Sequence, residues 1–128
     1  MVEVEVVNRS GVALDETQAA AVAREVLAAE GIASGEVGLT FVPPGEIREL
    51  KREHLGVDEA TDALAFPIDG RELLPPELPR QLGDVVLCPQ VVGKAWRAPL
   101  VHAMLHLVGY DHGPLMEARE REHARNEQ

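Results

Sequence analysis

The stretch Val101–His112, VHAMLHLVGYDH, constrains this chain more than any other. His102 and His106 are four residues apart, so a helix carries both imidazoles on one face, a single turn apart. Gly109 then permits a left-handed backbone conformation, which ends the helix and reverses the chain. His112 is thereby able to fold back toward the pair. The spacing predicts a metal site with His102, His106 and His112 as its protein ligands. Three protein ligands leave one coordination position for water, the arrangement of a catalytic rather than a structural zinc site. One zinc ion is the expected occupant, although three histidines also accept Ni, Co or Cu. Cys88 is not expected to join them, because the histidines already fill the protein share. His54 and His123 sit among charged residues and are expected to be solvent-exposed.

Around that stretch the pattern alternates strands and helices. Val2, Val4 and Val6 alternate with Glu3 and Glu5, the period of a strand with one wet face. Asp15 to Glu30 reads as a helix, with Asp15 as N-cap, abundant Ala and Gly31 as its stop. Glu36 to Val42 is a second strand, ended by Pro43-Pro44-Gly45. Glu46 to His54 has helical character, with Ile47, Leu50 and Leu55 facing inward. Thr61 to Ile68 is a third strand, with Leu64 and Phe66 as core candidates. Asp69 to Gln81 carries Pro75, Pro76 and Pro79 and reads as a loop. Asp84 to Leu87 is a compact buried strand, and Pro89 opens a short helix that Gly93 weakens. Pro99 opens a helix running to about Val108, and a charged helix from about Leu115 follows. This order predicts an α+β fold: one domain over residues 1–128, a small mixed sheet of about four strands, and helices packed on it.

Composition narrows the function classes. Only 3% of residues are aromatic, so the core must be built of Val, Leu, Ile and Ala, with Trp96 expected to be buried in it. No apolar stretch is long enough to span a bilayer, and the start of the chain is unlike a secretory signal. A lone cysteine excludes an internal disulfide and fits a reducing compartment, so the cytosol is expected. The net charge of −10 argues against a broad nucleic-acid surface, because phosphate contacts call for a basic excess. A cleft can still differ in sign from the whole.

The three-histidine spacing, with a glycine three residues after the second, is also that of the metzincin proteases. Their motif places a general-base glutamate directly after the first histidine, and here that position is Ala103. Without that carboxylate, peptide hydrolysis of the metzincin kind lacks its proton acceptor.

The chain instead resembles the YbeY family of metal-dependent endoribonucleases in ribosomal-RNA maturation. The family motif His-Gly-x-Leu-His-Leu-x-Gly-Tyr-Asp-His is matched by His102, Leu105, His106, Leu107, Gly109, Tyr110, Asp111 and His112, with Ala103 in place of a glycine. Thr61-Asp62-x-Leu64-x-Phe66-Pro67 is similar to a second family block. Leu82-Gly83-Asp84-Val85-Val86-Leu87-Cys88 is similar to a third, and Met116 to Glu122 to the family's closing helix. The resemblance implies RNA as substrate and the small ribosomal subunit as a partner, with no membrane association. It also implies a catalytic arginine shortly before the Thr-Asp block. The aligned position here is Leu55, so Arg52, Arg48 or another cation must supply that role, or it is absent. Two segments are shorter than in the family, between Cys88 and His102 and between His112 and Met116.

Arg48, Lys51 and Arg52 form the densest basic cluster, which reads either as a cation for a phosphodiester transition state or as a solvated helix face. Arg52 is the catalytic candidate among them. Asp111 either orients an imidazole or is the polar residue of a turn. Asp62 and Asp84 read as structural residues. Tyr110 is expected to pack its ring while its hydroxyl reaches a polar partner. Three functions fit: a zinc endoribonuclease specific for single strands, acting in rRNA maturation and ribosome quality control; a metal-dependent hydrolase of another substrate; and a ribosome-assembly factor with weak catalysis.

Overall fold

The computed structural model describes residues 2–56, 63–69, 80–93, 95–110 and 113–125. Along the chain run β1 (Val2–Asn8), α1 (Glu16–Ala29), β2 (Gly35–Phe41), α2 (Pro44–Leu55), β3 (Ala63–Pro67), β4 (Gln81–Leu87), α3 (Pro89–Val92), α4 (Arg97–Leu107) and α5 (Pro114–Arg125). The four strands form one mixed sheet in the order β1-β2-β4-β3, with β1, β2 and β4 parallel and β3 antiparallel at the edge. The α+β class with about four strands is therefore as the sequence predicts.

Strand alternation sorts the residues into two faces. Val2, Val4, Val37, Leu39, Phe41, Leu82, Val85 and Leu87 join α1 and α4 in the main core, with Met116 of α5 closing it. On the other face, α2 covers a smaller core of Val42, Ile47, Leu64, Val86 and Cys88, flanked by Leu50 and Phe66. Beside that patch the second face is open and carries Glu3, Glu5, Glu36 and Asp84. Asp84 is thus an exposed strand residue beside the glycine at position 38, in keeping with a structural reading. Trp96 is only half-buried, packed on the main core from just before α4.

Local chemistry explains the helix ends. Asp15 caps α1, its Oδ1 accepting from the Gln18 amide at 2.9 Å. At the other end the Gly31 and Ile32 amides donate back to the Ala28 and Leu27 carbonyls, the paired bonds of a Schellman cap. That cap makes Glu30 the C-cap residue that follows the helix, turned toward the protein rather than the solvent. Pro44 begins α2, since a first-turn amide has no partner to lose. For the same reason Pro99 sits inside the first turn of α4, which opens earlier, at Arg97. The segment β4 also begins earlier than Asp84, at Gln81, because a bulge at Leu82 shifts its register against β2 and lets the strand continue. Most of the predicted proline-rich loop lies outside the described residues.

Candidate metal centre

Helix α4 is the most enclosed helix among the described residues. From Leu100 to Val108 every residue is buried except two, His102 and His106. A helix hydrophobic on nearly all sides sits in a core, so its remaining polar stripe must face something specific. The two rings meet edge to face, their centroids 4.8 Å apart and their planes at 82°. The i, i+4 spacing has thus produced the juxtaposition expected of it.

The end of α4 repeats the capping chemistry of α1. Gly109, at φ +107°, takes the conformation a side chain disfavours. Its amide donates to the His106 carbonyl at 3.0 Å, and the Tyr110 amide donates to the Leu105 carbonyl at 3.0 Å. This Schellman turn folds Tyr110 back over the last turn of the helix. The Tyr110 carbonyl then lies 2.8 Å from Nδ1 of His106. A carbonyl only accepts, so Nδ1 carries the proton and Nε2 of the neutral ring keeps its lone pair.

His102 has a looser contact, at ion-pair distance. Its Nδ1 lies 3.3 Å from a carboxylate oxygen of Glu120, across on α5. Both histidines therefore have Nδ1 beside an oxygen atom, and Nε2 is the ring nitrogen that would serve as the ligand atom. Metal-binding histidines characteristically have their other nitrogen held in this way. The donor set fits a borderline-soft divalent cation such as zinc. Among the described residues no group of three or more His, Cys, Asp or Glu is arranged to hold a metal ion. The predicted third ligand, His112, and Asp111 beside it lie outside the described residues, as do Thr61 and Asp62.

Behind the histidine pair stands a buried polar cluster that sequence reading missed. The Glu30 carboxylate, with its side chain 2% exposed, accepts from the Tyr110 hydroxyl at 2.7 Å and from Nε of Arg119 at 2.8 Å. Nε2 of His123 lies 3.0 Å from the same carboxylate. His123 is 3% exposed, which corrects the expectation of a solvent-facing residue. The acceptor that draws it inward comes from α1, more than ninety residues earlier. Burial pushes the Glu30 carboxyl up, but hydrogen bonds from Arg119, Tyr110 and His123 outweigh it and hold the group below the usual carboxylate range. Tyr110 packs against the core with its hydroxyl on a polar partner, as its sequence context predicts. His54 is exposed, as predicted, and sets its ring edge against Phe66 at 5.0 Å.

A signal for this cluster was present in the spacing of α5. Met116, Arg119, Glu120 and His123 fall at i, i+3, i+4 and i+7, and they are the residues of that helix least open to solvent. Nothing in the Ala-rich α1 singles out Glu30.

Arg52 lies on α2, across the sheet from α4. It is half-exposed and ion-paired with Glu49 of the same helix. Cys88 is buried in the smaller core, away from the histidines. No helix among the described residues is long and apolar enough to cross a membrane.

Comparison with known proteins places this geometry in a family context. A family model described as "Endoribonuclease YbeY" matches residues 5–128. A Chloroflexus aurantiacus protein of the same description is 36% identical over 135 aligned residues, covering 92% of this chain and 88% of its own length. One from Mycobacterium ulcerans is 31% identical over 134 residues, covering 91% of this chain and 75% of its own. Among solved structures, a Thermotoga maritima protein determined in solution superposes with a TM-score of 0.56 at 22% identity, covering 95% of this chain and 87% of that one. At that identity the likeness speaks to the fold alone.

Proposed function

The chain belongs to the YbeY family, and on that premise we propose that it is a zinc-dependent endoribonuclease specific for single-stranded RNA. Its place is ribosomal-RNA maturation and ribosome quality control in the cytosol, in contact with the small ribosomal subunit. The observation that carries the reading is the histidine pair, the two residues left unburied between Leu100 and Val108, each with Nδ1 beside an oxygen atom.

His102, His106 and His112 are the residues that would hold the ion. When bound, it supplies Lewis acidity and lowers the pKa of water in its open position. The chain's own part is to orient the imidazoles and to keep one side of α4 packed while the other faces substrate. The transition state of phosphodiester cleavage gains negative charge, so a cation is needed beside it. Arg52 is the candidate, and because α2 covers the opposite face of the sheet from α4 it contributes only where the RNA strand reaches round the sheet to it. Its pairing with Glu49 is exposed, and exposed pairs contribute only about 0–1 kcal/mol, so the guanidinium exchanges partners easily. Asp111, next to His112 in the sequence, is either an orienting acceptor for an imidazole or a structural polar residue. The net charge of −10 supports local recognition of a single strand over a broad electrostatic grip on a duplex.

The test is cleavage of single-stranded and duplex RNA of one sequence by zinc-loaded protein, beside His106→Ala. Cutting of the single strand that disappears in the variant is the expected result. Absence of cutting by fully loaded protein would sink the catalytic reading, and co-sedimentation with small subunits would then favour an assembly factor. Arg52→Ala is expected to lower cleavage with metal content unchanged. Undiminished cleavage would remove Arg52 from the mechanism.

A further inference from the structure

We propose that Glu120 is the positioning residue for His102: its carboxylate holds the imidazole in the tautomer and orientation that present Nε2 to the metal. The inference rests on the reading of His102 as a ligand, and deepens it by assigning that ligand its outer partner.

The two histidines are held asymmetrically. His106 needs no side chain to orient it, because the Schellman turn delivers the Tyr110 carbonyl to its Nδ1. His102 lies one turn earlier, where the neighbouring carbonyls of α4 are committed to the helix. A carboxylate from another element can supply an acceptor. Helix α5 supplies it, with Glu120 at 3.3 Å. A neutral histidine side chain free in water favours the proton on Nε2, which would block the nitrogen presented to the metal. A fixed carboxylate at Nδ1 reverses that preference.

Glu120 can do this only if α5 is itself fixed. Two of the residues flanking it on the same face, Arg119 and His123, bind the Glu30 carboxylate, and Met116 is buried in the main core. The end of α1 thus anchors α5, and α5 holds Glu120 over His102. Side-chain exposure of 36% for both His102 and Glu120 leaves the contact at the edge of the site, beside solvent rather than sealed from it.

The test uses the full chain without metal, and then with zinc. Long-range proton–nitrogen NMR at about pH 8, above the ordinary imidazole pKa, reads the tautomer of each ring. In the wild type both His102 and His106 are expected with the proton on Nδ1. In Glu120→Ala, His102 alone reverts to the Nε2–H form while His106 keeps its state. Zinc affinity by chelator competition should fall roughly 10–100-fold, the usual effect of removing an outer partner. Glu120→Gln, which retains an oxygen acceptor, should recover part of the loss. Glu117→Ala, an exposed charge-matched control on the same helix, should change neither readout. Wild-type affinity and an unaltered His102 tautomer in Glu120→Ala would overturn the proposal while leaving the ligand assignment intact. Wild-type protein that takes up no zinc, or undiminished uptake by His106→Ala, would overturn the ligand assignment and the proposal with it.

Discussion

At the scale of single residues, glycine and glutamate matter as much as histidine. Gly109 sits at φ +107° with open space where a Cβ would point, so its requirement is conformational and not steric. Gly109→Ala should cost about 1–2 kcal/mol, the strain of placing a side chain in that region. Urea unfolding measures it directly, and the variant should also bind zinc less tightly because the Tyr110 carbonyl moves with the turn. Glu30 makes the opposite case, a buried charge stabilised by three donors against the cost of its burial. Its carboxyl is held below the usual range, so its contribution is complete at neutral pH and above the unfolded value of ~4.3. That contribution is lost as pH falls through the lower folded value. Glu30→Gln should therefore unfold less steeply with acid than the wild type, though it starts from lower stability; a parallel acid limb would contradict the assignment. The histidine pair and Gly109 were legible in the sequence because their meaning depends on spacing within one helix. The burial of His123 was not, because it depends on a carboxylate from a distant helix.

At the scale of elements, most boundaries follow from local chemistry that a sequence displays. Asp15, Gly31 and Pro44 mark helix ends by the backbone groups they satisfy or lack. The bulged strand β4 is different. Gly83, at φ +136°, lies so close to the edge strand that a Cβ there would meet the Phe66 carbonyl oxygen at 2.3 Å and Leu107 at 2.8 Å. Gly83→Ala must push β3 or α4 outward, and should cost at least about 2–3 kcal/mol, the scale of overpacking a tight interior. Denaturant titration showing less than ~1 kcal/mol of change would mean the sheet yields more easily than its geometry implies. Sequence patterning placed the strand start at Asp84, since Gly83 and the prolines before it resemble punctuation. The close approach that requires a glycine there exists only once β3 is paired beside it.

At the scale of the whole molecule, charge is distributed unevenly. Glu3, Glu5, Glu36 and Asp84 lie on the open sheet face, across the sheet from α4 and its histidines. The net charge of −10 is therefore not a measure of the field at the histidine pair. The sheet and α1 build a rigid floor, α4 crosses it, and α5 returns to hold the ligand face. The class and order of these elements could be read in advance from periodicity and punctuation, whereas the docking of α5 on Glu30 could not. The most direct measurement is metal stoichiometry of the purified chain beside His106→Ala, by elemental analysis after equilibration with zinc. A single bound ion per chain, lost in the variant, is the predicted result; a variant that retains the full complement would show that the ion is held elsewhere.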